Sequence, residues 1–262
     1  MFQEERLVAI VDFLKMNKRI SVEQICALFD VSRDTARRDL VRLEEEKRIV
    51  RTRGGAILPS EHQEVKDYSN RLKIVSEEKS SIGKVAASLI YPNDRVILDV
   101  STTVQSCAEH IKNINCTVIT NSINQAEILS SKSEVNIQLL GGLLQKEHKF
   151  LYGSSVLEKL SEYHVDKAFI GVAGISERGL TIAIEEDGMV KRKMIQQANQ
   201  VIVLADHTKF GKTHFFRFTD LQDIDLLITD KTPEKSFLDL LRKYDVELLI
   251  ANPEDEGDGK NE

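Results

Sequence analysis

The sequence predicts an α/β protein with a small, mainly helical N-terminal part and a larger part built on a parallel β-sheet. Two observations predict this fold class. The first 58 residues contain three helical patterns followed by a short hairpin pattern. From about residue 76 onwards, seven apolar, β-branched runs alternate with helical patterns. Strands that alternate with helices are typical of a parallel, Rossmann-like sheet covered on both faces.

The composition is that of a globular protein that can bury a core, with 41% hydrophobic and 30% charged residues among 262. The first residues lack the basic and apolar regions of a secretory signal, and no apolar run is long enough to cross a bilayer. The three cysteines have no metal-ligand spacing and are expected to be buried, reduced thiols. We therefore expect a cytoplasmic protein without membrane contact.

Two helical patterns open the N-terminal part. Residues 4–16 carry apolar side chains at the i, i+3, i+4 and i+7 spacing of one helical face. These side chains are Leu7, Ile10, Val11 and Leu14. Ser21 and Gln24 have the spacing of a capping box, which predicts the start of a second helix. Asp30-Val31 is interpreted as the turn that follows it.

A third helix is predicted from its cap Ser32 to about Glu46. Leu40 and Leu43 lie within about 40° of Ala36 around its axis, and together the three side chains predict a buried face. The opposite side and its flanks carry polar side chains, namely Asp34, Thr35, Arg37, Arg38 and Arg42. The helix therefore packs with one face and presents a basic face to a partner or to solvent.

A basic wing is predicted after this helix. Residues 47–58 alternate loosely around Gly54-Gly55, which is typical of a two-stranded hairpin. The chain has a net charge of −6, but residues 33–53 contain eight basic and five acidic side chains. A basic region on an acidic chain is typical of a DNA-binding unit. Residues 1–58 are thus predicted to form a winged helix-turn-helix domain.

The basic helix face has the chemistry needed to read double-stranded DNA. Arginine on the N-terminal half of an exposed helix can contact guanine O6 and N7 in the major groove. Basic wing residues contact phosphates, which position the protein without specifying sequence. The predicted DNA-binding residues are Ser32, Arg33, Asp34, Thr35, Arg37, Arg38, Arg42, Arg48, Arg51 and Arg53. A solvated, charged helix face is the alternative interpretation of the arginine run.

The rest of the chain divides into a linker over residues 59–75, a second domain over 76–252 and a disordered acidic tail over 253–262. The linker is expected to include the start of a connecting helix. A further helix is expected over Met189–Ala198. The predicted strands are Arg95–Asp99, Thr117–Thr120, Asn136–Leu140, Lys167–Gly171, Gln200–Ala205, Leu226–Thr229 and Glu247–Ile250.

Polar residues follow several of these strands. Because the carboxyl ends of parallel strands meet at one edge of the sheet, these residues predict a ligand site there. Ser101-Thr102-Thr103 offers hydroxyls and backbone N–H groups at a helix start, which suits a phosphate, with Lys209 as a nearby cation. The candidate effector-binding residues are Asp99, Ser101, Thr102, Thr103, Thr120, Asn121, Ser122, Gly141, Gly142, Asp206 and Lys209. The alternative interpretation is that these threonine-rich and glycine-rich segments are ordinary turns without a ligand.

Two long stretches resemble the DeoR family of bacterial transcriptional regulators. Phe29–Leu40 and Arg51–Ala56 match its Val-Ser-x-x-Thr-Ile-Arg-Arg-Asp-Leu and Arg-x-x-Gly-Gly-Ala patterns, with Ala36 in place of isoleucine. The predicted ligand loops resemble its sensor domain, which is related in fold to sugar-phosphate isomerases. There, Ser101 stands where the family has glycine in its phosphate loop. The resemblance implies a repressor of a carbohydrate operon, controlled by a phosphorylated sugar.

Catalysis, cofactors and metal ions are not expected. The related isomerases carry paired acids after the strand that corresponds to Lys167–Gly171, and residues 171–174 offer none. Glu185, Glu186 and Asp187 are nearby acids in the sequence, but they could equally be the first turn of a helix, where acidic side chains are favoured by the helix dipole. His207 and His214 have no third metal ligand at useful spacing in the sequence.

Three functions remain open from the sequence. The first is a regulator that assembles into a dimer or tetramer through its α/β domain, because one winged helix buries too little surface to select a genomic site. The second is a sugar-phosphate isomerase-like enzyme with an appended DNA-binding head. The third is an architectural DNA-binding protein whose α/β domain serves only to oligomerise.

Overall fold

The structure, a computed structural model, describes residues 2–46, 48–57, 68–74 and 76–251. The chain divides into two compact units, Met1–Lys66 and Asp67–Glu262. The second unit therefore includes the last residues of the predicted linker 59–75, of which residues 68–73 form a helix. Residues 47 and 58 of the predicted wing and the predicted tail 253–262 lie outside the described residues.

The N-terminal unit is built from three helices and a small sheet. Its elements are α1 (Gln3–Asn17), β1 (Arg19–Ser21), α2 (Val22–Phe29), α3 (Arg33–Glu45), β2 (Val50–Thr52) and β3 (Gly55–Ile57). The strands are antiparallel in the order β1-β3-β2. β1 was not predicted, because its three residues become a strand only by pairing with the distant wing strand β3.

The predicted caps and apolar faces are confirmed in this unit. The Ser21 hydroxyl accepts a hydrogen bond from the Gln24 N–H at 3.1 Å, and the Gln24 side chain accepts one from the Ser21 N–H at 2.9 Å. The Ser32 hydroxyl caps α3 by accepting a bond from the Thr35 N–H at 3.2 Å. All seven side chains predicted to face inwards from α1 and α3 are buried: Leu7, Ile10, Val11, Leu14, Ala36, Leu40 and Leu43.

The two glycines of the wing have different structural roles. Gly54 has a φ of 89°, a conformation that glycine adopts without strain, and it turns β2 into β3. Gly55 lies against β1, where a Cβ atom would be 2.1 Å from the Ile20 carbonyl oxygen. The wing can therefore pair closely with β1 only when residue 55 is glycine.

The second unit alternates helices and strands. Its elements are α4 (Tyr68–Lys73), α5 (Ser76–Ser88), β4 (Arg95–Leu98), α6 (Thr102–His110), β5 (Cys116–Thr120), α7 (Ile123–Leu129), β6 (Val135–Leu139), β7 (Leu143–Gln145), β8 (Phe150–Tyr152), α8 (Ser154–Ser161), β9 (Val165–Gly171), β10 (Gly174–Ser176), β11 (Gly179–Ile182), α9 (Glu185–Gln196), β12 (Ala198–Leu204), β13 (Phe216–Thr219), β14 (Leu226–Thr229), α10 (Lys235–Lys243) and β15 (Glu247–Ile250). Short 3₁₀ helices lie at His207–Lys209 and Leu221–Asp223.

Seven strands form one parallel sheet in the order β15-β14-β12-β9-β4-β5-β6. These are the seven predicted strands, and none of their ends moves by more than two residues. Alternate side chains along the strands enter different cores: Ala168 and Ile170 pack in one cluster, and Phe169 packs in the other. Both faces of the sheet are therefore covered, as expected for a parallel α/β domain.

The antiparallel parts of this unit were not predicted. β7 and β8 form a hairpin, and β10, β11 and β13 form a separate three-stranded sheet. The helix expected over Met189–Ala198 instead spans Glu185–Gln196, because acidic residues favour its first turn and Ala198 pairs with Val165 in the sheet. Among the described residues, none of the helices combines the length and the apolar character needed to cross a bilayer.

Candidate DNA-binding surface and effector site

The basic face of α3 is open to solvent. Arg33, Asp34, Arg37 and Arg38 are exposed, whereas Thr35 and Arg42 are partly buried. A groove of about 490 Å³ runs along this face and is lined by Gln3, Asp34, Arg37, Arg38, Val41, Arg42 and Glu45. The side chains predicted for base contact thus share one accessible surface, and the buried residues of the same helix face the other way.

Carboxylates hold several of the predicted arginines. The pairs are Arg33 with Glu23 (3.4 Å), Arg42 with Glu4 (2.5 Å) and Glu46 (3.3 Å), Arg48 with Glu46 (3.1 Å) and Arg51 with Glu44 (3.6 Å). Ion pairs this exposed contribute about 0–1 kcal/mol each, so DNA phosphates can replace them. Arg38 has no hydrogen bond or ion pair in the described part of the chain and is directly available.

A buried ion pair fixes the orientation of α3. Asp39 is completely buried and accepts hydrogen bonds from Arg6 Nε at 2.6 Å and Arg6 Nη2 at 3.2 Å. Gln3 also donates to Asp39, at 3.0 Å. These contacts tie α3 to the start of α1. One signal for these contacts is visible in the sequence, a carboxylate on the apolar face between Ala36 and Leu43.

Asp99 organises the loop that follows β4. Its side chain is 1% exposed, and Oδ1 accepts a hydrogen bond from the Ser101 N–H at 2.8 Å. Oδ2 accepts one from the Gly171 N–H at 2.7 Å and also binds the ammonium of Lys191, which is equally buried. Because both oxygens accept hydrogen bonds from within the protein, Asp99 orients the loop.

Ser101 caps the helix that begins at this loop. Its hydroxyl accepts a hydrogen bond from the Val104 N–H at 3.2 Å, and it lies against Gly171, where an added Cβ would be 2.0 Å from it. Thr102 and Thr103 are buried in the first turn of α6. Their backbone N–H groups make no hydrogen bond within the described residues. Free N–H groups at a helix start are a common binding position for anions in proteins.

The loop after β5 is joined to the first loop by Gln125. The Gln125 amide donates to the Asp99 carbonyl oxygen and accepts a bond from the Thr120 hydroxyl at 3.2 Å. Ser122 caps α7 by accepting a bond from the Gln125 N–H at 3.3 Å. Asn121 is 1% exposed and donates to the Leu151 carbonyl oxygen at 3.0 Å.

Asn121 keeps one unused acceptor in this loop. Its Oδ1 has no hydrogen-bond partner among the described residues. A buried acceptor without a partner costs about 1–3 kcal/mol. A ligand hydroxyl at this position would recover that free energy.

Asp206 and Lys209 form the third polar loop, after β12. Asp206 is completely buried; its Oδ1 accepts from the Thr208 N–H at 3.0 Å, and its Oδ2 lies 3.3 Å from Lys209 Nζ. Burial alone would raise the pKa of Asp206, but the Lys209 charge and the bonds from Thr208 outweigh it and lower the pKa. Oδ2 has an ion-pair partner but no well-aligned hydrogen bond, so it can accept one from a ligand.

Gly141 and Gly142 connect β6 to the β7–β8 hairpin. Both are exposed, and the Gly141 carbonyl oxygen accepts a bond from Ser155 at 3.3 Å. A Cβ at Gly142 would lie 2.5 Å from the Tyr152 carbonyl oxygen, so glycine is required for the hairpin to close there. In the described structure no hydrogen bond joins these two residues to the loops of Asp99 or Asp206.

Comparisons with known proteins agree with both parts of the chain. Residues 6–62 match the family model described as DeoR-like helix-turn-helix domain, and residues 74–231 match the DeoR C terminal sensor domain. The chain is 67% identical over 257 residues to the HTH-type transcriptional repressor GlcR of Bacillus subtilis, covering 98% of this chain and 99% of that protein. The chain belongs to the DeoR family. It is therefore a DNA-binding transcriptional regulator and not an enzyme, and the predicted resemblance is confirmed.

Other relatives of this DeoR regulator cover nearly its whole length. The putative aga operon transcriptional repressor of Escherichia coli O157:H7 is 33% identical over 254 residues, covering 94% of this chain and 93% of that one. Among solved structures, ribose 5-phosphate isomerase A of Methanocaldococcus jannaschii aligns with a TM-score of 0.38 and 18% identity, over 50% of this chain and 53% of that one.

Several charged residues near the loops of this DeoR chain were not predicted. Asp187 is buried with an unpartnered Oδ1, and Lys191 Nζ lies 3.7 Å from that atom. Burial raises the pKa of Asp187, Lys191 and Arg71 lower it, and Asp99 raises it further. Lys191 lies on the inner face of α9 beside Val190 and Met194. The helical spacing of these two apolar residues predicts an apolar contact, so the sequence does not indicate that the lysine between them is buried too.

One polar cluster arises only from the fold. His207 Nδ1 lies 2.6 Å from Asp230 Oδ2, and Asp230 Oδ1 accepts from the His207 N–H at 2.6 Å. Glu78 completes a group whose polar atoms lie within 4.8 Å of one another. The sequence showed no third polar partner near His207, because Glu78 comes from a helix far away in the chain. Both Asp230 oxygens already hold His207, and the predicted absence of a metal stays a prediction.

Proposed function

We propose that this DeoR-family chain is a sequence-specific repressor of a carbohydrate-metabolism operon and that a phosphorylated sugar controls it. One observation carries the effector class. The free N–H groups at the start of α6 suit a phosphate, and unpartnered buried oxygens in the neighbouring loops suit sugar hydroxyls. Two relatives support the biological role: one is the putative aga operon transcriptional repressor and the other is the glycerol-3-phosphate regulon repressor of Escherichia coli.

In the proposed complex the phosphate lies over Ser101-Thr102-Thr103, with Lys209 as a counter-charge. Asn121 Oδ1, Asp187 Oδ1 and Asp206 Oδ2 accept hydrogen bonds from the sugar. Asp99, Thr120 and Ser122 hold the loops in place through their hydrogen bonds within the protein. Gly141 and Gly142 shape the hairpin beside the site and do not contact the sugar.

For DNA, the proposed major-groove contacts come from the N-terminal half of α3. Arg37, Arg38 and Thr35 reach base edges, while Ser32, Arg33 and Asp34 lie at the helix start nearest the backbone. Arg42 and the wing residues Arg48, Arg51 and Arg53 contact phosphates. The chain would act in the cytoplasm as a homo-oligomer, because a symmetric pair of heads doubles the readout of a two-fold operator.

Calorimetry on the full chain tests the effector class. Triose, pentose and hexose phosphates are each compared with the same sugar without its phosphate. We expect binding by at least one phosphorylated member and none by its unphosphorylated partner. Equal binding by the unphosphorylated sugar would contradict the phosphate assignment but leave the DNA-binding function intact.

Light scattering tests the assembly at micromolar concentration, with and without duplex operator. A dimer or tetramer is expected in both samples. Monomers alone, with DNA present, would contradict the proposed homo-oligomer.

A further inference from the structure

Two groups of charged residues lie in and near the predicted effector loops. The first is held together by Asp99, whose carboxylate binds Lys191, and Lys191 lies beside Asp187. The second is the pair of Asp206 and Lys209. In the described structure no hydrogen bond or ion pair joins the two groups directly. An anionic ligand that contacts both groups would be stabilised by a positive charge placed between them.

Arg71 supplies that charge, and it comes from α4. The positive charge of its guanidinium lowers the pKa of Asp187 in the first group and also that of Lys79. The pKa of Lys79 is in turn raised by Asp206 and lowered by Lys209, the two members of the second group. Arg71 Cζ lies 5.5 Å from the centre of the Tyr68 ring, and its Nε is buried without a hydrogen-bond partner in the described residues. A buried guanidinium N–H without an acceptor is a strong donor for an anionic or hydroxylated ligand.

Lys79 fixes the corner between α4 and α5. It is 6% exposed, and its Nζ donates to the carbonyl oxygens of Arg71 at 2.6 Å and Ile74 at 2.7 Å. Burial lowers its pKa to about 8; Asp206 raises the pKa, Lys209 and Arg71 lower it, and Glu78 raises it. This corner therefore concentrates positive charge that nearby carboxylates only partly compensate. An added anion would stabilise the corner.

Tyr68 anchors the same helix to the effector loops. It is 2% exposed, packs with Val100 and Phe150, and donates through its hydroxyl to Gln105 in α6. Burial raises its pKa to about 12. α4 is therefore seated against the helix whose N-terminus forms the proposed phosphate site. It is also the first described element after residues 58–67, through which the chain runs to the DNA-binding unit.

We propose that Arg71 and Lys79 form a cationic clamp, carried on the α4–α5 corner, that closes on the anionic effector and transmits its binding to the segment leading to the DNA-binding unit. The proposal rests on the proposed function. An effector that contacts Arg71 binds more tightly when α4 is seated than when it is displaced, and only such a difference can shift a conformational equilibrium. Effector binding thus favours the seated form, which in a repressor released by its effector would be the form with the lower operator affinity.

The experiment separates contact from coupling in the full-length protein. Operator affinity is measured by fluorescence anisotropy while the best-binding sugar phosphate of the calorimetric series is titrated. Two quantities are read: the effector concentration at the midpoint and the operator affinity at saturating effector. The variants are Arg71→Gln and Lys79→Gln on the clamp, Thr102→Ala in the phosphate site, and Lys84→Gln as an exposed control on α5.

The clamp variants should lose the response itself. At saturating effector, Arg71→Gln and Lys79→Gln are expected to keep operator affinity within about threefold of the effector-free value, since a coupling of about 5- to 150-fold would be mostly removed. Thr102→Ala should shift the midpoint but reach the wild-type plateau, and Lys84→Gln should match the wild type in both. A wild-type plateau in both clamp variants would overturn the proposal.

Hydrogen exchange on the wild type keeps the test decisive if a clamp variant folds poorly. Saturating effector should slow exchange of the amides in residues 68–79 by at least about fivefold, because a seated helix opens less often. Unchanged exchange there, with slower exchange at 101–105, would overturn the clamp while supporting the proposed function. If no sugar phosphate alters wild-type operator affinity, the proposed function and the clamp both fail.

Discussion

The two units of this chain use charge in opposite ways. The DNA-binding unit presents arginines to water and pairs them with carboxylates that are themselves exposed, as in Arg42 with Glu4. The sensor unit buries its charges, so that Asp99 and Lys191 are each 1% exposed. DNA offers many phosphates, each of which needs only a weak, exchangeable contact. A small effector offers few groups, so each must meet a desolvated and pre-oriented partner.

The comparison has one exception, and it provides the largest expected effect. Asp39 in the DNA-binding unit is as buried as any charge in the sensor unit, and Asp39→Ala would remove the carboxylate that receives two hydrogen bonds from Arg6. We expect a loss of about 3–5 kcal/mol in the free energy of unfolding of this unit. Thermal unfolding followed by circular dichroism measures it. Glu45→Ala, exposed on the same helix, is the control and should change stability by less than about 0.5 kcal/mol. Equal stability of both variants would show that the pair is dispensable.

The next effect tests whether exposed arginines differ in role. Arg38→Ala should weaken specific operator binding by about 1–3 kcal/mol and relax sequence preference, because a base contact is lost. Arg53→Ala should weaken binding to all sequences alike and reduce the salt dependence, because a phosphate contact is lost. Gel-shift titrations at several salt concentrations, against operator and scrambled DNA, distinguish the two. A uniform loss in Arg38→Ala would move this residue to the phosphate class.

A smaller effect is expected in the sensor unit. Thr102→Ala removes one hydroxyl at the proposed phosphate position, so effector affinity should fall by about 1 kcal/mol, roughly fivefold. Operator affinity without effector should stay at the wild-type value. Calorimetry and gel shift together measure this. Unchanged effector affinity would place the phosphate elsewhere along the sheet edge.

The smallest effect has the opposite sign and sharpens the contrast between the units. Because burial raises the pKa of Asp187, the folded chain holds this proton to higher pH than the unfolded chain does. Its contribution to stability therefore falls as pH rises above the unfolded pKa of about 4. Asp187→Asn should raise the free energy of unfolding by less than about 1 kcal/mol at pH 7.5 and leave it unchanged near pH 4.

Urea unfolding at the two pH values measures the Asp187 effect. The exposed neighbour Glu186, changed to glutamine, is the matched control. If the Asp187→Asn variant were less stable than the wild type at pH 7.5, the charged carboxylate would be shown to stabilise the fold.

Local signals accounted for most of the fold. The caps at Ser21 and Ser32 and the apolar face of α1 depend on residues within one or two helical turns, so the sequence alone predicts them. The seven parallel strands were found because buried strands are continuous apolar runs. β1 and the β7–β8 hairpin were missed, since three-residue strands carry too little pattern and exist only through their partners.

The sequence predicted the part of the candidate site that follows the strands, but not the part on α4 and α5. Residues that follow strands could be placed at the sheet edge by topology, which gave Thr102, Asn121 and Asp206. Arg71 and Lys79 lie on helices that come before the first strand of the sheet, and only three-dimensional packing brings them to that edge. Their individual signals, an arginine and a lysine in polar helical stretches, are typical of solvated surface.

The seating of α4 also determines how this regulator can be recombined. Tyr68 belongs to the core of the sensor unit, although a reader of the sequence would assign it to the linker 59–75. A chimeric regulator that joins a foreign DNA-binding head after residue 75 would discard Tyr68 and Arg71 and leave the effector loops without their anchor. Joined ahead of Tyr68, at the boundary between the two units, the same head would keep both residues, so a designer who wants a new operator under the same metabolite should cut there.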